Sequence, residues 1–200
     1  MATNCMHYWL KRITLTLSFC LLAACATVPE LERVPLNATA KLDLASSWPG
    51  EPIQQLHQVT WSHAEHTPQV FLISSYLSDS EVTVIGLSPL GQELWRVFLT
   101  PGKPIAASGI EPFDDKRLAQ AIVADLQLQR WPLATVNSHL HNARLVSHEA
   151  ERSVVTNNGE VIWQAQAHTN LVTIANKVRG YTLKLELLDE QAFTTKSKGE

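Results

Sequence analysis

Imidazoles, a serine, adjacent carboxylates and thiols are the groups from which a reactive centre in this chain would be assembled. His63-Ala64-Glu65-His66, and His139 with His141, carry donor types that a divalent metal uses. Positions three apart on a strand face opposite sides, and positions two apart on a helix do not share a face, so neither pair is expected to converge on one ion. Ser88 lies in Gly86-Leu87-Ser88-Pro89-Leu90-Gly91. The spacing is GxSxxG rather than GxSxG, proline follows the serine and the next run reads as a strand, so the strained strand-to-helix turn that exposes a nucleophile is missing. Asp114-Asp115 are neighbours that point apart, which suits a helix cap better than a paired acid and base. No phosphate-cradling glycine pattern is present. The expectation is a non-enzymatic protein with no metal and no cofactor.

The thiols carry the clearest chemistry. Lys11-Arg12 precede the apolar run Ile13–Ala24, which is too short to span a bilayer and has the charged and apolar regions of an export signal; Met1 or Met6 serves equally as its start. The run ends in Leu22-Ala23-Ala24-Cys25, which resembles the lipobox of bacterial lipoproteins. That resemblance implies cleavage after residue 24 and acylation of Cys25, with fatty chains such as palmitate. Cys5 and Cys20 would leave with residues 1–24, so the mature chain would keep no pair for a disulfide or a thiolate metal site. Lys11 and Arg12 would leave too, with no acid, taking the net charge from −3 to −5. Ala26 is not aspartate, and by resemblance to the lipoprotein sorting rule this favours the periplasmic face of the outer membrane. Two acyl chains anchor stably, at about 0.8 kcal/mol per buried methylene.

The elements that must hold any site follow from pattern. With 45% hydrophobic and 18% charged residues over 200 positions, the chain has the composition of one ordinary globular domain. Its 16 Lys and Arg are scattered, without a basic stripe interleaved with aromatics, so nucleic acid is not an expected partner. Glu81–Thr100 is the densest β-branched and aromatic block and reads as two antiparallel strands reversing at Ser88-Pro89-Leu90-Gly91, where proline presets φ and glycine removes the Cβ. Leu90 is anomalous for a tip. Leaving it in water forgoes about 1.5 to 3 kcal/mol of burial, so it either folds onto the core or is kept outside for a partner.

Residues 25–50, with Pro29, Pro35 and Pro49, read as a flexible tether of about 25 to 30 Å end to end, with a short strand at 40–44. Strands are expected over 52–62, 69–77, 81–87, 92–100 and 103–107, at meander spacing. Asp114-Asp115 cap a helix to Gln129, with Leu118, Ile122 and Leu126 inward and Lys116, Arg117, Gln120, Asp125 and Gln127 on its wetter side. Pro132 starts a second helix reaching about residue 141. Strands return over 144–148, 152–156, 161–168, 171–177 and from 181, with Asn158-Gly159 the strongest hairpin signal. The late strands have one apolar face, as in a curved antiparallel sheet. The domain should span 51–190, and 191–200 should be a polar tail.

Strands, an exposed Ser-Pro-Leu-Gly turn, more strands, two helices joined through Leu128-Gln129-Arg130-Trp131-Pro132-Leu133, then further strands on a lipidated chain resemble the LolB outer-membrane lipoprotein receptors and their soluble relative LolA. The similarity covers about residues 50–190 and is sharpest at 82–94 and 114–140. It extends to an uncharacterised lipoprotein family on that fold, some of whose members sit near aryl polyene gene clusters. The resemblance implies a mainly β, α+β architecture: an incomplete antiparallel barrel with two helices in its mouth and an apolar cavity between. It also implies that Leu90, beside Pro89, protrudes to help deliver acyl chains to the membrane, with a periplasmic LolA-like carrier as a partner. Phe71, Val84, Trp95, Trp163, Leu183 and Leu185 are the expected cavity lining. The leading expectation is a lipoprotein that binds a lipid or acylated cargo and passes it to the membrane. The alternatives are an accessory lipoprotein that docks an envelope or lipid-biosynthesis complex without cargo, and a lipid esterase or thioesterase, which would need a Ser or His in the cavity.

Overall fold

The computed structural model describes residues 33–111 and 113–193. Cys5, Cys20, Cys25, the expected signal over 1–24, the first part of the expected tether and residues 194–200 lie outside the described residues. In chain order the elements are β1 (Arg33–Pro35), β2 (Lys41–Asp43), β3 (Ile53–His63), β4 (His66–Leu77), β5 (Val82–Leu87), β6 (Glu93–Leu99) and β7 (Ala106–Gly109). Two helices come next, α1 (Lys116–Arg130) and α2 (Leu133–His139), and then β8 (Leu140–His141), β9 (Ala143–His148), β10 (Glu151–Thr156), β11 (Val161–His168), β12 (Leu171–Asn176) and β13 (Tyr181–Ala192).

Ten of these strands form one antiparallel sheet in the order β7-β6-β5-β4-β3-β13-β12-β11-β10-β9. Consecutive hairpins build each half, and the last strand returns to β3, pairing from Tyr181 with His63 to Ala192 with Ile53. The outer strands β7 and β9 do not pair with each other, so the sheet is a large open half-barrel with two helices, as expected. Alternation sets its inner face: Phe71, Ile73, Ser75 and Leu77 of β4 are buried, as are Tyr181, Leu183 and Leu185 of β13. Asn157-Asn158-Gly159-Glu160 makes the expected turn, with Gly159 at φ +87°, where a Cβ would be strained.

Asp115 caps α1 by accepting from the Arg117 amide at 2.9 Å. The helix stops at Trp131, which precedes Pro132 and is extended at ψ 151°. The Arg152 guanidinium donates to the freed carbonyls of Leu128 and Trp131, at 3.2 and 2.7 Å.

Three expectations are corrected. The stretch 33–50 is not flexible tether: β1, β2 and β8 form a second, three-stranded sheet, and Val34, Leu36, Ala40, Leu42, Leu44 and Ala45 are buried in the core. Its prolines suggested a linker, but the apolar residues between them have α1 to cover, and Gln127 donates to the Ala45 carbonyl and accepts from its amide, both at 2.8 Å. The same contacts overturn the wet reading of α1, on which Gln120, Asp125 and Gln127 are all buried. The polar tail begins later than 191, because Gln191 and Ala192 complete β13 and the Phe193 amide reaches the Pro52 carbonyl at 2.8 Å.

Candidate functional site

The inner faces of β3 and β4 run side by side beneath α1. From one end, β3 presents Trp61, Val59, His57 and Gln55, and β4 presents Phe71, Ile73, Ser75 and Leu77, with Val59 opposite Phe71, His57 opposite Ile73 and Gln55 opposite Ser75. Val59 and Ile73 are fully buried and divide the gutter into two hollows. The first, about 220 Å³, is apolar, with Trp61, Phe71, Phe113, Leu118 and Ile122 in its wall and His66 and Gln69 beside them. The second, about 210 Å³, mixes Leu77, Val84, Val123, Leu126 and Leu185 with Gln55, His57, Ser75 and Arg130. Consecutive residues of α1, Ile122 and Val123, line one hollow each, so the helix is the shared wall.

Charge in the polar hollow is already balanced. The Glu190 carboxylate accepts from Arg130 Nη2 at 3.0 Å and from the Gln55 side-chain amide. Arg130 also stacks over the Trp48 ring, 5.7 Å from its centroid. His57 Nδ1 and Arg130 Nε are buried without a partner. Burial pushes the His57 pKa down to about 4, with the Arg130 charge acting in the same sense and Glu190 against it, so His57 is neutral at pH 7.

What holds α1 over the gutter is a buried polar knot. Asp125 is 1% exposed and accepts from Trp163 Nε1 at 2.8 Å, from Asn176 Nδ2 at 3.3 Å and from the Tyr181 hydroxyl. Burial outweighs these three bonds and pushes the carboxyl up to about 6. The Tyr181 hydroxyl is raised, first by burial and then by Asp125.

The six expected lining residues divide evenly. Phe71 lines the apolar hollow and Val84 and Leu185 the polar one. Trp95, Trp163 and Leu183 line neither: Trp163 is taken by Asp125, Leu183 is fully buried, and Trp95 lies against the backbone of Gly86, its register partner. A Cβ on Gly86 would sit 2.2 Å from that indole.

Leu90 is 97% exposed. Its turn is closed by the Gly91 amide donating to the Ser88 carbonyl at 2.8 Å, with Gly91 at φ +82°, and Ser88 Oγ accepts from the Gln92 amide at 3.1 Å. Ser88 Oγ is thus engaged in its own turn. Sequence reading missed one convergence. His63 and His66 do meet, as register partners across the β3–β4 hairpin with ring centroids 5.3 Å apart, beside Trp61, because the chain reverses at residues 64–65 rather than continuing as strand. Among the described residues no group of three His, Cys, Asp or Glu is placed to hold a metal. Ser75 and His57 share the polar hollow with no hydrogen bond between them, and no acid orients the His57 Nδ1, so the pair is not assembled as a nucleophile and base. His57, Gln55 and Arg130 were also missed. Their signal was present for the first two: Ile53, Gln55, His57, Val59 and Trp61 share one parity, and polar residues interrupting an apolar face mark a lined hollow.

No curated protein matches the chain. The solved structure of a LolA superfamily protein from Nitrosomonas europaea is similar at 7% identity, with a TM-score of 0.43 over 76% of this chain and 90% of that one. A family described as "Protein of unknown function (DUF3261)" matches residues 53–189. That span is more than half of the chain and contains both hollows, α1 and the Leu90 turn. The chain belongs to the DUF3261 family.

Proposed function

We propose that this protein is a non-enzymatic outer-membrane lipoprotein, anchored through acylated Cys25, that binds an acyl chain of a lipid or acylated cargo under α1 and passes it to the membrane at the Leu90 turn. The observation that carries the reading is the apolar hollow of about 220 Å³ walled by Trp61, Phe71, Phe113, Leu118 and Ile122. An apolar concavity of that size, open to solvent on one side, is suited to an apolar guest. Leu90 supports the second half, because its position in water has no folding benefit to offset it. Moving an acyl chain between two apolar sites changes buried area little, so a small affinity difference sets direction without a nucleotide. A periplasmic LolA-like carrier is the proposed donor. Among the described residues no helix is long and apolar enough to cross a membrane.

The docking alternative, an accessory lipoprotein without cargo, is favoured by one observation: each hollow falls below the roughly 300 to 1,000 Å³ of a typical ligand pocket. Extraction of the purified protein and mass spectrometry separates the two. Copurifying acyl lipid, lost on Leu118→Trp, is expected of the carrier, and a lipid-free protein would favour the docking reading. Leu90→Glu is expected to keep the lipid but to slow its transfer to vesicles; unchanged transfer removes the turn from the mechanism.

A further inference from the structure

We propose that the polar hollow beside Arg130 is a head-group subsite for a neutral carbonyl, the ester or amide that joins an acyl chain to its carrier, and that it disfavours a free carboxylate. The assignment rests on the acyl-binding reading above and adds a subsite for the polar end in the hollow on the other side of Val59 and Ile73 from the apolar one. Two buried nitrogens without partners, His57 Nδ1 and Arg130 Nε, belong to side chains that line this hollow. An arginine Nε always carries a hydrogen, so it requires an acceptor, and a neutral imidazole can present Nδ1 as a second donor. Buried donors left unpaired are costly, and a carbonyl oxygen supplies the missing acceptor.

Charge decides between acceptors. The Arg130 guanidinium is already paired with Glu190 at 3.0 Å, and Glu190 also holds Gln55, so the cluster carries no net positive charge to meet an anion. A carboxylate placed here would lose its hydration and sit near a second carboxylate, whereas an ester or amide loses little. The rest of the wall suits the alkyl chain attached to such a carbonyl: Leu77, Val84, Val123, Leu126 and Leu185 are apolar. Its 210 Å³ leaves room for the carbonyl and a short run of methylenes. The hollow is thus polar at one side and apolar at the other, in the sense of a chain entering by its head.

The test is calorimetric titration of the full chain carrying Cys25→Ala with 1-octanoylglycerol and with octanoate at pH 7. The ester should bind at least about fivefold tighter, the size of one net hydrogen bond. His57→Phe, which keeps a ring but removes Nδ1, should weaken the ester by about fivefold and move octanoate less than twofold, with a melting midpoint no lower than that of the wild type. Octanoate binding as tightly as the ester, or ester affinity unchanged by His57→Phe, overturns the head-group assignment and leaves the acyl reading standing. Absence of binding by both probes overturns both.

Discussion

One buried and one half-buried titratable residue oppose each other in this protein. Asp125 has its pKa raised by burial to about 6, so between about 4 and 6 the folded state holds more protons than the unfolded chain, and its contribution to stability rises as pH falls through that window. His57 is lowered to about 4, so the unfolded chain takes the proton first and stability falls as pH drops from about 6.5 to about 4. The two partly cancel in the wild type. Chemical denaturation across pH 4 to 7 should therefore show a steeper acid loss in Asp125→Asn, where only the His57 limb is left, and a gain on acidification in His57→Phe. Parallel curves for all three proteins would show that neither group titrates as its surroundings require. At the same scale, Leu90 is legible from the turn chemistry of Pro89 and Gly91, while Asp125 is not, because a single acid in a helix reads as wet until its three donors, from β11, β12 and β13, are in place.

At the scale of elements, α1 is held from both sides. Beneath it lies the Asp125 knot; above it, the Gln127 amide satisfies both backbone groups of Ala45. Gln127→Ala leaves a buried amide and a buried carbonyl unpaired, and should cost about 2 to 3 kcal/mol, with faster hydrogen exchange over residues 41–45 as the local readout. A uniform loss of protection would mean the arm and helix open only with the whole fold. The edge strand β9 is protected in a similar way: Asn137 of α2 accepts from the Leu145 amide at 2.7 Å and donates to its carbonyl at 3.0 Å, occupying hydrogen-bonding groups another chain would use. In the other half of the sheet, Gly86 leaves room for the Trp95 indole. Gly86→Ala should destabilise by about 1 to 3 kcal/mol in urea titration, since the ring is 1% exposed and has nowhere to shift.

At the largest scale, the described residues form an open ten-stranded sheet with α1 over its concave side as the shared wall of two hollows, and with Leu90 in water on the β5–β6 turn. Cys25→Ala should move the protein from the membrane fraction to the soluble periplasm; retention on the membrane would remove the acyl anchor from the proposal. Much of this was present in the sequence by itself. Period-two alternation, the Asn158-Gly159 and Pro89-Leu90-Gly91 turns and the Asp115 cap are local signals, carried by neighbouring residues, and they placed nearly every strand and both helices. Tertiary structure alone decided what those elements enclose. Val34, Leu36, Ala40, Leu42, Leu44 and Ala45 are core rather than tether because α1 lies beneath them, Trp95 and Trp163 are packing rather than lining because Gly86 and Asp125 receive them, and His57 comes near Arg130 through the pairing of distant strands and a helix. Local pattern records which face of an element is apolar, but which faces meet, and what space is left between them, depends on contacts between residues tens of positions apart.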